Sequence, residues 1–458
     1  MLPHIDPGIP VAVVGNFVEA HYDFLSRFSA DDSGASLFDQ EAYHGDRTLL
    51  WLGDPKLVFV SHEIPHAAYL CGLLGYEGTR HVAPTSPTPF LSCDILREER
   101  LLNTLVHYAG PQKRLQIVPY ATTPDFLSLV QVLRCEFGLD IILPECPSPE
   151  ALWLRDYVDS KSGFHHLAGR WLCDSDALLP ESYICRDVAE AAKVAGWFHA
   201  RGRICIGKPD TGESGLGCRV LPPTASGDAQ AIADMLQGSP YWGGEPILVE
   251  EFIGGDRSIS PSVEIFVPHS GAGEPTVTYV SEQLFQRFGE FSGVLVSRDQ
   301  SDQPWYAPCV ENCLRLARAL QARGYAGHFD VDVVVDDEGR PYLLELNARR
   351  TGGTHVHDFG CFCFGQDYRE KVALLSWESL DCGSVSDWCE LLVRLDGLLF
   401  PLDQLGVSPR GVIVTITSSL VRNQFGVVIV GEDRQDALQL QESLRVRLST
   451  MQCADPVY

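Results

Sequence analysis

The stretch Phe329–Asn347, FDVDVVVDDEGRPYLLELN, limits the fold more than any other part of the chain. Two β-rich runs flank the turn residues Asp336-Asp337-Glu338-Gly339, which reads as a hairpin. A strand's period of two then puts Asp330 with Asp332, and Glu345 with Asn347, on single faces. An otherwise apolar strand does not bury acids without compensation. Asp, Glu and Asn oxygens, together with phosphate oxygens and water, are the ligands Mg²⁺ prefers, and the apolar flanks favour a metal site over a solvated outer face.

The hairpin closes a region from Arg203 to Asn347 in which β-branched runs (RICIG, PILVEEFI, SISPSVEIFV, PTVTYV, GVLVS) are broken by glycines. Such spacing predicts antiparallel sheet, with one helix from about Glu311 to Arg323. Residues 1–150 read differently. Val11–Val14, Leu49–Leu52, Leu57–Val60, Leu115–Val118 and Ile141–Leu143 alternate with helical patterns, the signature of βαβ units and a mostly parallel sheet. Thr123 and Pro124 open one helix as N-cap and first-turn proline, Ser148-Pro149 another, and a longer one runs from Val188 to Arg201. After a helix near Asp367–Ser376, strands at Val412–Thr417 and Val427–Val430 and an amphipathic helix through Leu448 predict a small α+β piece packed on the middle region. The expected units are 1–150, 151–257, 258–370 and 371–458: an α/β region, an α+β region in two subdomains, and the C-terminal piece.

Composition excludes several classes. With 45% apolar and 21% charged residues the chain is neither disordered nor fibrous. A formal net charge of −26 repels phosphate backbones and anionic membranes, which argues against nucleic-acid and membrane partners. No window approaches the apolar length of a spanning helix, and the N-terminus lacks an export signal, so the expected compartment is the cytoplasm. The 15 scattered cysteines show no zinc-site spacing and read as reduced thiols. Gly15-Asn16-Phe17 after the first strand does not match the dinucleotide fingerprint.

Three further segments carry chemistry. In Cys205–Gly217 an apolar strand delivers Lys208 into a loop with Gly212, Ser214, Gly215 and Gly217, which either cradles phosphates through main-chain N–H groups or is a plain hairpin tip; Asp210 and Glu213 count against the first. In Ile247–Asp256 a strand ends at Glu250, Glu251, Phe252 and Ile253, offering main-chain groups to a planar base and Asp256 to a ribose, or else solvated acids beside a turn. In Ala348–Asp358, Arg349 and Arg350 stand where they can stabilise a transferring phosphoryl group, Gly352 and Gly353 let the backbone come close, and His355 and His357 are substrate contacts or ordinary hydrogen-bonded histidines. Arg287 and Arg298 are candidates to pair a substrate carboxylate.

The order of these segments resembles the ATP-grasp superfamily of carboxylate–amine ligases, with DVVVDDEGRPYLLELN similar to that family's metal hairpin. The resemblance implies two antiparallel sheets enclosing ATP, with Asp332, Glu345 and Asn347 holding Mg²⁺ (Mn²⁺ the alternative ion). It implies Lys208 on the phosphates, with Lys161, in Asp159-Ser160-Lys161, as a second phosphate-binding lysine. Glu250 would take the exocyclic amine, backbone groups of Glu251 and Ile253 the ring edge, and Asp256 the ribose. Arg349 would be the transition-state arginine. The overall layout and NARRTGGTH resemble the pre-ATP-grasp group that includes the peptide ligase of pheganomycin biosynthesis.

The expected activity is ATP-dependent ligation of a small-molecule carboxylate to an amine through an acyl phosphate, on amino acids or small peptides in specialised metabolism. Related enzymes are often homodimers. The rival readings are a non-catalytic ATP-binding regulator and an ATP-dependent carboxylase or purine-type ligase.

Overall fold

A computed structural model describes residues 2, 4–27, 32–212, 215–223, 229–237, 242, 244–255, 257–287, 289–383, 385, 387–400 and 409–449. Near the N-terminus, β1 (Val11–Val14), β2 (Leu57–Phe59), β3 (Arg80–Val82), β4 (Arg114–Pro119) and β5 (Asp140–Ile142) form a parallel sheet in the order β3-β2-β1-β4-β5. Alternate residues enter two different cores, Val11, Val13 and Val58 on one face and Ala12, Val14 and Phe59 on the other. That explains the uninterrupted apolar runs. The Pro124–Cys135 helix starts as expected, with Thr123 Oγ1 accepting from Phe126 N–H at 3.0 Å.

Strand order reverses between β1 and β4, and the crevice outside their carboxyl ends is where such sheets bind ligands. Asn16 shapes that crevice: its side-chain oxygen accepts from the N–H groups of Tyr120 (3.1 Å) and Ala121 (3.2 Å), and its amide donates to Ala121 O at 3.0 Å.

The expected antiparallel region divides into two sheets. β6 (Ser182–Cys185), β7 (Cys205–Pro209), β8 (Arg219–Leu221) and β9 (Ile247–Glu251) make a small sheet in the order β6-β9-β7-β8, packed on the Val188–His199 helix. An eight-stranded antiparallel sheet is built from β10 (Pro261–Val267), β11 (Thr276–Arg287), β12 (Glu290–Val296), β13 (Gly327–Val335), β14 (Pro341–Asn347), β15 (Ala373–Asp381), β16 (Gly411–Ile416) and β17 (Gln424–Gly431). Its order is β14-β13-β10-β11-β12-β15-β17-β16. The last three strands therefore extend the middle region's sheet, and the expected boundary at residue 370 falls inside it.

Two expected elements differ. Leu49–Leu52 is no strand: Leu49 and Leu50 end a short helix, His44–Leu50, and are buried with Trp51. A four-residue apolar run fits a strand or a buried turn equally. Here Lys56 decides, its buried Nζ donating to Leu49 O (2.9 Å) and Gly53 O (2.5 Å). Of Asp367–Ser376 only the turn Tyr368–Glu370 is helical; from Ala373 the chain is strand, because Ala373 and Leu375 enter one core and Leu374 another, as a doubly covered strand requires. Among the described residues no helix is long and apolar enough to cross a membrane, and the described cysteines are free.

Arg350 ties the layers together. It is 2% exposed, donates to Glu145 through Nε (2.8 Å) and Nη2 (2.7 Å) and to Asp358 through Nη1 (3.1 Å), and lies over the Trp51 ring. Its own N–H donates to Tyr120 O at 3.2 Å. The expectation that Arg350 serves catalysis is corrected: its guanidinium is consumed in a buried network that aligns the backbone beside Arg349. Removing one partner of such a network leaves an uncompensated buried charge. Arg350→Ala should lower stability by about 3–5 kcal/mol in urea unfolding; an unchanged midpoint contradicts this role.

Candidate functional site

A cleft of about 1490 Å³ lies between the small sheet, the eight-stranded sheet and the β1/β4 crevice. At its centre the β13–β14 register sets Asp330 opposite Asn347 and Asp332 opposite Glu345, and all four line the cleft. Asn347 Nδ2 donates to Asp332 Oδ2 at 3.2 Å, Gln283 Nε2 to Asp332 Oδ1, and Ser262 Oγ to Asp330 Oδ2 at 2.9 Å. Lys161 Nζ stands 2.8 Å from Glu345 Oε2, and Lys208 Nζ is paired with Glu250 Oε1.

Three carboxylates thus share the cleft face with a single directly bonded lysine. Burial pushes Glu345 up, but Lys161 and Lys208 more than offset this and hold it down to about 2. Asp332 moves the other way, raised by burial and by Asp330 and Glu345; Asp330, raised by burial and Glu264, reaches about 7. Asp330 Oδ1 is buried without a hydrogen-bond partner among the described residues. Hard oxygen donors, crowded and short of positive charge, fit a hydrated divalent cation bearing phosphate oxygens.

The flanking segments explain themselves locally. Ser160 caps the Lys161–Trp171 helix, its Oγ accepting from Gly163 N–H at 3.1 Å. Asp210, the acid that counted against a phosphate loop, turns to that helix instead, accepting from Ser162 N–H (2.7 Å) and Ser162 Oγ (3.0 Å). The glycine loop reaches across the cleft. Gly215, at φ +72°, lies so close to the β11–β12 turn that a Cβ there would stand 1.8 Å from Gly289 O. Ser214 and Asp256 fall outside the described residues, as does the Arg287 side chain. At the end of β9, Glu251 N–H donates to Glu181 O (2.9 Å) and Phe252 N–H to Ile204 O (3.0 Å), while Ile253 N–H makes no hydrogen bond among the described residues. Ile206 and Leu344, one from each sheet, line this end.

Arg349 donates through Nη1 to Asp159 Oδ1 (2.8 Å) and through Nε to Tyr120 OH (3.1 Å), on the cleft wall. Next to it the chain runs flat: a Cβ on Gly353 would meet Tyr279 Oη at 2.4 Å, and one on Gly352 the Phe291 ring at 2.9 Å. Beneath them Glu264 Oε2 accepts from Thr351 Oγ1 (3.0 Å), Thr354 Oγ1 (2.6 Å) and Tyr279 OH (2.9 Å).

Three predicted contacts change position. Arg298 is 67% exposed and paired with Glu370 at 3.1 Å, outside the cleft. His355 is buried behind the glycines, kept neutral by burial and the nearby Arg47 and His44. The Glu250 carboxylate points inward to Lys208 and to His165, 3.2 Å away, and does not line the cleft. Conversely, Glu41, His44, Arg47, Tyr120, Gln283 and Glu378 line the cleft without having been singled out. The only sequence signal for the first three is their spacing of three in EAYHGDR.

No protein-family model and no curated protein matches the chain. Solved structures do. Biotin carboxylase from Campylobacter jejuni, as its β,γ-ATP complex, is similar over 98% of this chain and 96% of that one (14% identity, TM-score 0.56). An ADP complex of N5-carboxyaminoimidazole ribonucleotide synthetase is similar over 96% and 97% (12%, 0.52). The biotin carboxylase domain dimer of Hydrogenobacter thermophilus 2-oxoglutarate carboxylase, with MgADP, ADP and bicarbonate, is similar over 98% and 94% (12%, 0.50). The chain has the ATP-grasp fold.

Two outcomes are expected. Mg²⁺ should raise the thermal midpoint of the wild type and not of Asp332→Asn; an equal response in both contradicts the carboxylate site. Glu264 is pushed up by burial, yet His328, Thr354 and Arg350 hold it down to about 2. Its stabilisation is therefore complete above its unfolded value and lost as pH falls through about 4 towards 2. Urea midpoints should show Glu264→Gln less stable than wild type at pH 7, with the gap closing below about pH 4.

Proposed function

We propose that the chain is an ATP-dependent carboxylate–amine ligase that forms an amide or peptide bond through an acyl phosphate. The observation that carries this reading is the convergence of Lys161, Lys208 and the Asp332/Glu345/Asn347 set on one cleft between two antiparallel sheets. The adenine lies between Ile206 and Leu344, with the Glu251 carbonyl and Ile253 N–H at its edge and Asp256 assigned to the ribose. Lys161, Lys208 and the loop at Gly212, Ser214 and Gly215 hold the phosphates. Bound to Asp332, Glu345 and Asn347, Mg²⁺ (or Mn²⁺) supplies charge neutralisation on the transferring phosphoryl group.

A carboxylate is a poor electrophile at neutral pH. Its oxygen takes the γ-phosphoryl group as the bond to ADP breaks, with Arg349 stabilising the charge that develops; an amine then attacks the acyl carbon and phosphate leaves. Arg287 is assigned to pair the substrate carboxylate, and the Gly352–Gly353 strip lets that substrate approach in this scheme. NARRTGGTH supports kinship with the pre-ATP-grasp group of peptide ligases, and hence amino acid or small peptide substrates in specialised metabolism; a homodimer in the cytoplasm completes the proposal. ATP-dependent carboxylation is the second reading, favoured by the bicarbonate-bound neighbour; bicarbonate-stimulated ATP hydrolysis distinguishes it.

A phosphate-release screen of amino acid and dipeptide pairs with MgATP tests the proposal. One active pair is expected. Glu345→Ala should abolish that turnover with the fold intact, and Arg349→Ala should lower kcat by about 10²–10³-fold. Retained turnover in Glu345→Ala contradicts the scheme.

A further inference from the structure

Pockets for one drug-sized ligand hold about 300–1,000 Å³, so a cleft of about 1490 Å³ has room for more than a nucleotide. Past Arg349 and Gly352 it ends in a wall contributed by segments far apart in sequence. Arg47 and His44 come from the N-terminal region and Glu378 from β15. Arg47 Nη1 donates to Glu378 Oε1, and its Nε donates to His44 O at 3.3 Å. Glu378 Oε2 faces His44 Nε2 at 3.8 Å, beyond hydrogen-bonding distance. Glu41 steadies the imidazole, with His44 Nδ1 3.3 Å from its Oε2 and His21 Nδ1 3.0 Å from its Oε1. A Cβ on Gly352 would come within 3.1 Å of Glu378 Oε1, so glycine keeps the approach from Arg349 to this pair open.

A nearly buried ion pair is a weak source of stability, because desolvation offsets the attraction. On a cleft wall it presents opposite charges side by side. An α-amino acid carries its ammonium and carboxylate on one carbon, and the two heads match: Glu378 Oε2 accepts from the ammonium, and the remaining N–H groups of Arg47 donate to the carboxylate. Glu378 Oε2 makes no hydrogen bond among the described residues and is the oxygen left for the amine end. We infer that this wall is the acceptor site of the proposed ligase and that the amine substrate is a free α-amino acid, bound through Arg47 and Glu378. The inference rests on the ligase reading and adds to it which end of the cleft takes the nucleophile, and by which group.

The test follows the thermal midpoint of the full chain with Mg²⁺ and AMP-PNP, titrated singly with the twenty proteinogenic amino acids and with the matching decarboxylated amines. At least one amino acid should raise the midpoint saturably, with its amine binding at least tenfold more weakly. Glu378→Gln should abolish the response and Arg47→Lys weaken it tenfold or more, the response to Mg²⁺ and AMP-PNP reporting that each variant is folded. Should Glu378→Gln not fold, Glu378→Asp is expected to weaken binding tenfold. A nucleotide response with no amino acid response overturns the inference and leaves the ligase reading standing, as do equal binding of amine and amino acid or variants that respond like wild type. Absence of any nucleotide response overturns both.

Discussion

Negative charge buried on one face of the β13–β14 hairpin is the constraint from which the rest of the cleft follows. Asp330, Asp332 and Glu345 cannot all ionise there without positive charge close by. Lys161 arrives at a helix start and Lys208 on a strand of the opposite sheet, each buried and each paired with a glutamate. Each is attached to a different structural layer. The charge balance therefore also brings the layers together, and it accounts for buried cations in a chain of net charge −26.

The N-terminal region completes what the two antiparallel sheets begin. Its β1/β4 crevice delivers Tyr120 to Arg349, while Arg350, the next residue, is locked to Glu145 and Asp358. One arginine anchors so that its neighbour can be aimed. The glycine loop is held by the same region: Arg27 Nη2 donates to Thr211 Oγ1 at 3.0 Å, and the Phe24 ring packs against Gly212, where a Cβ would come within 3.3 Å. The glycine loop and the Arg349 end of the cleft are thereby both referred to one parallel sheet.

Much of this was legible in the sequence because it obeys local periodicity. The period of two placed the acids of Phe329–Asn347, and Thr123-Pro124 and Ser148-Pro149 announced helix starts. What was not legible is long-range. Nothing local distinguishes Arg350, satisfied by an acid over two hundred residues away in the chain, from Arg349. The sequence could not reveal that Asp210 caps a neighbouring helix, nor that Glu250 turns inward to Lys208. Glu378 lies just past a run read as helix, Asp367–Ser376, in a strand that is covered on both faces and so shows no alternation. The acceptor wall joins residues near 45 and 378, and no spacing rule spans that distance.

In the proposed ligase, Asp332, Glu345 and Asn347 clasp a divalent cation against a nucleotide's phosphates. A crystal structure with Mg²⁺ and a non-hydrolysable ATP analogue tests it most directly. The account predicts a cation at about 2.0–2.1 Å from those side-chain oxygens and from phosphate oxygens, with Lys161 and Lys208 turned from Glu345 and Glu250 to the phosphates. A nucleotide bound elsewhere, or those three side chains left uninvolved, contradicts it.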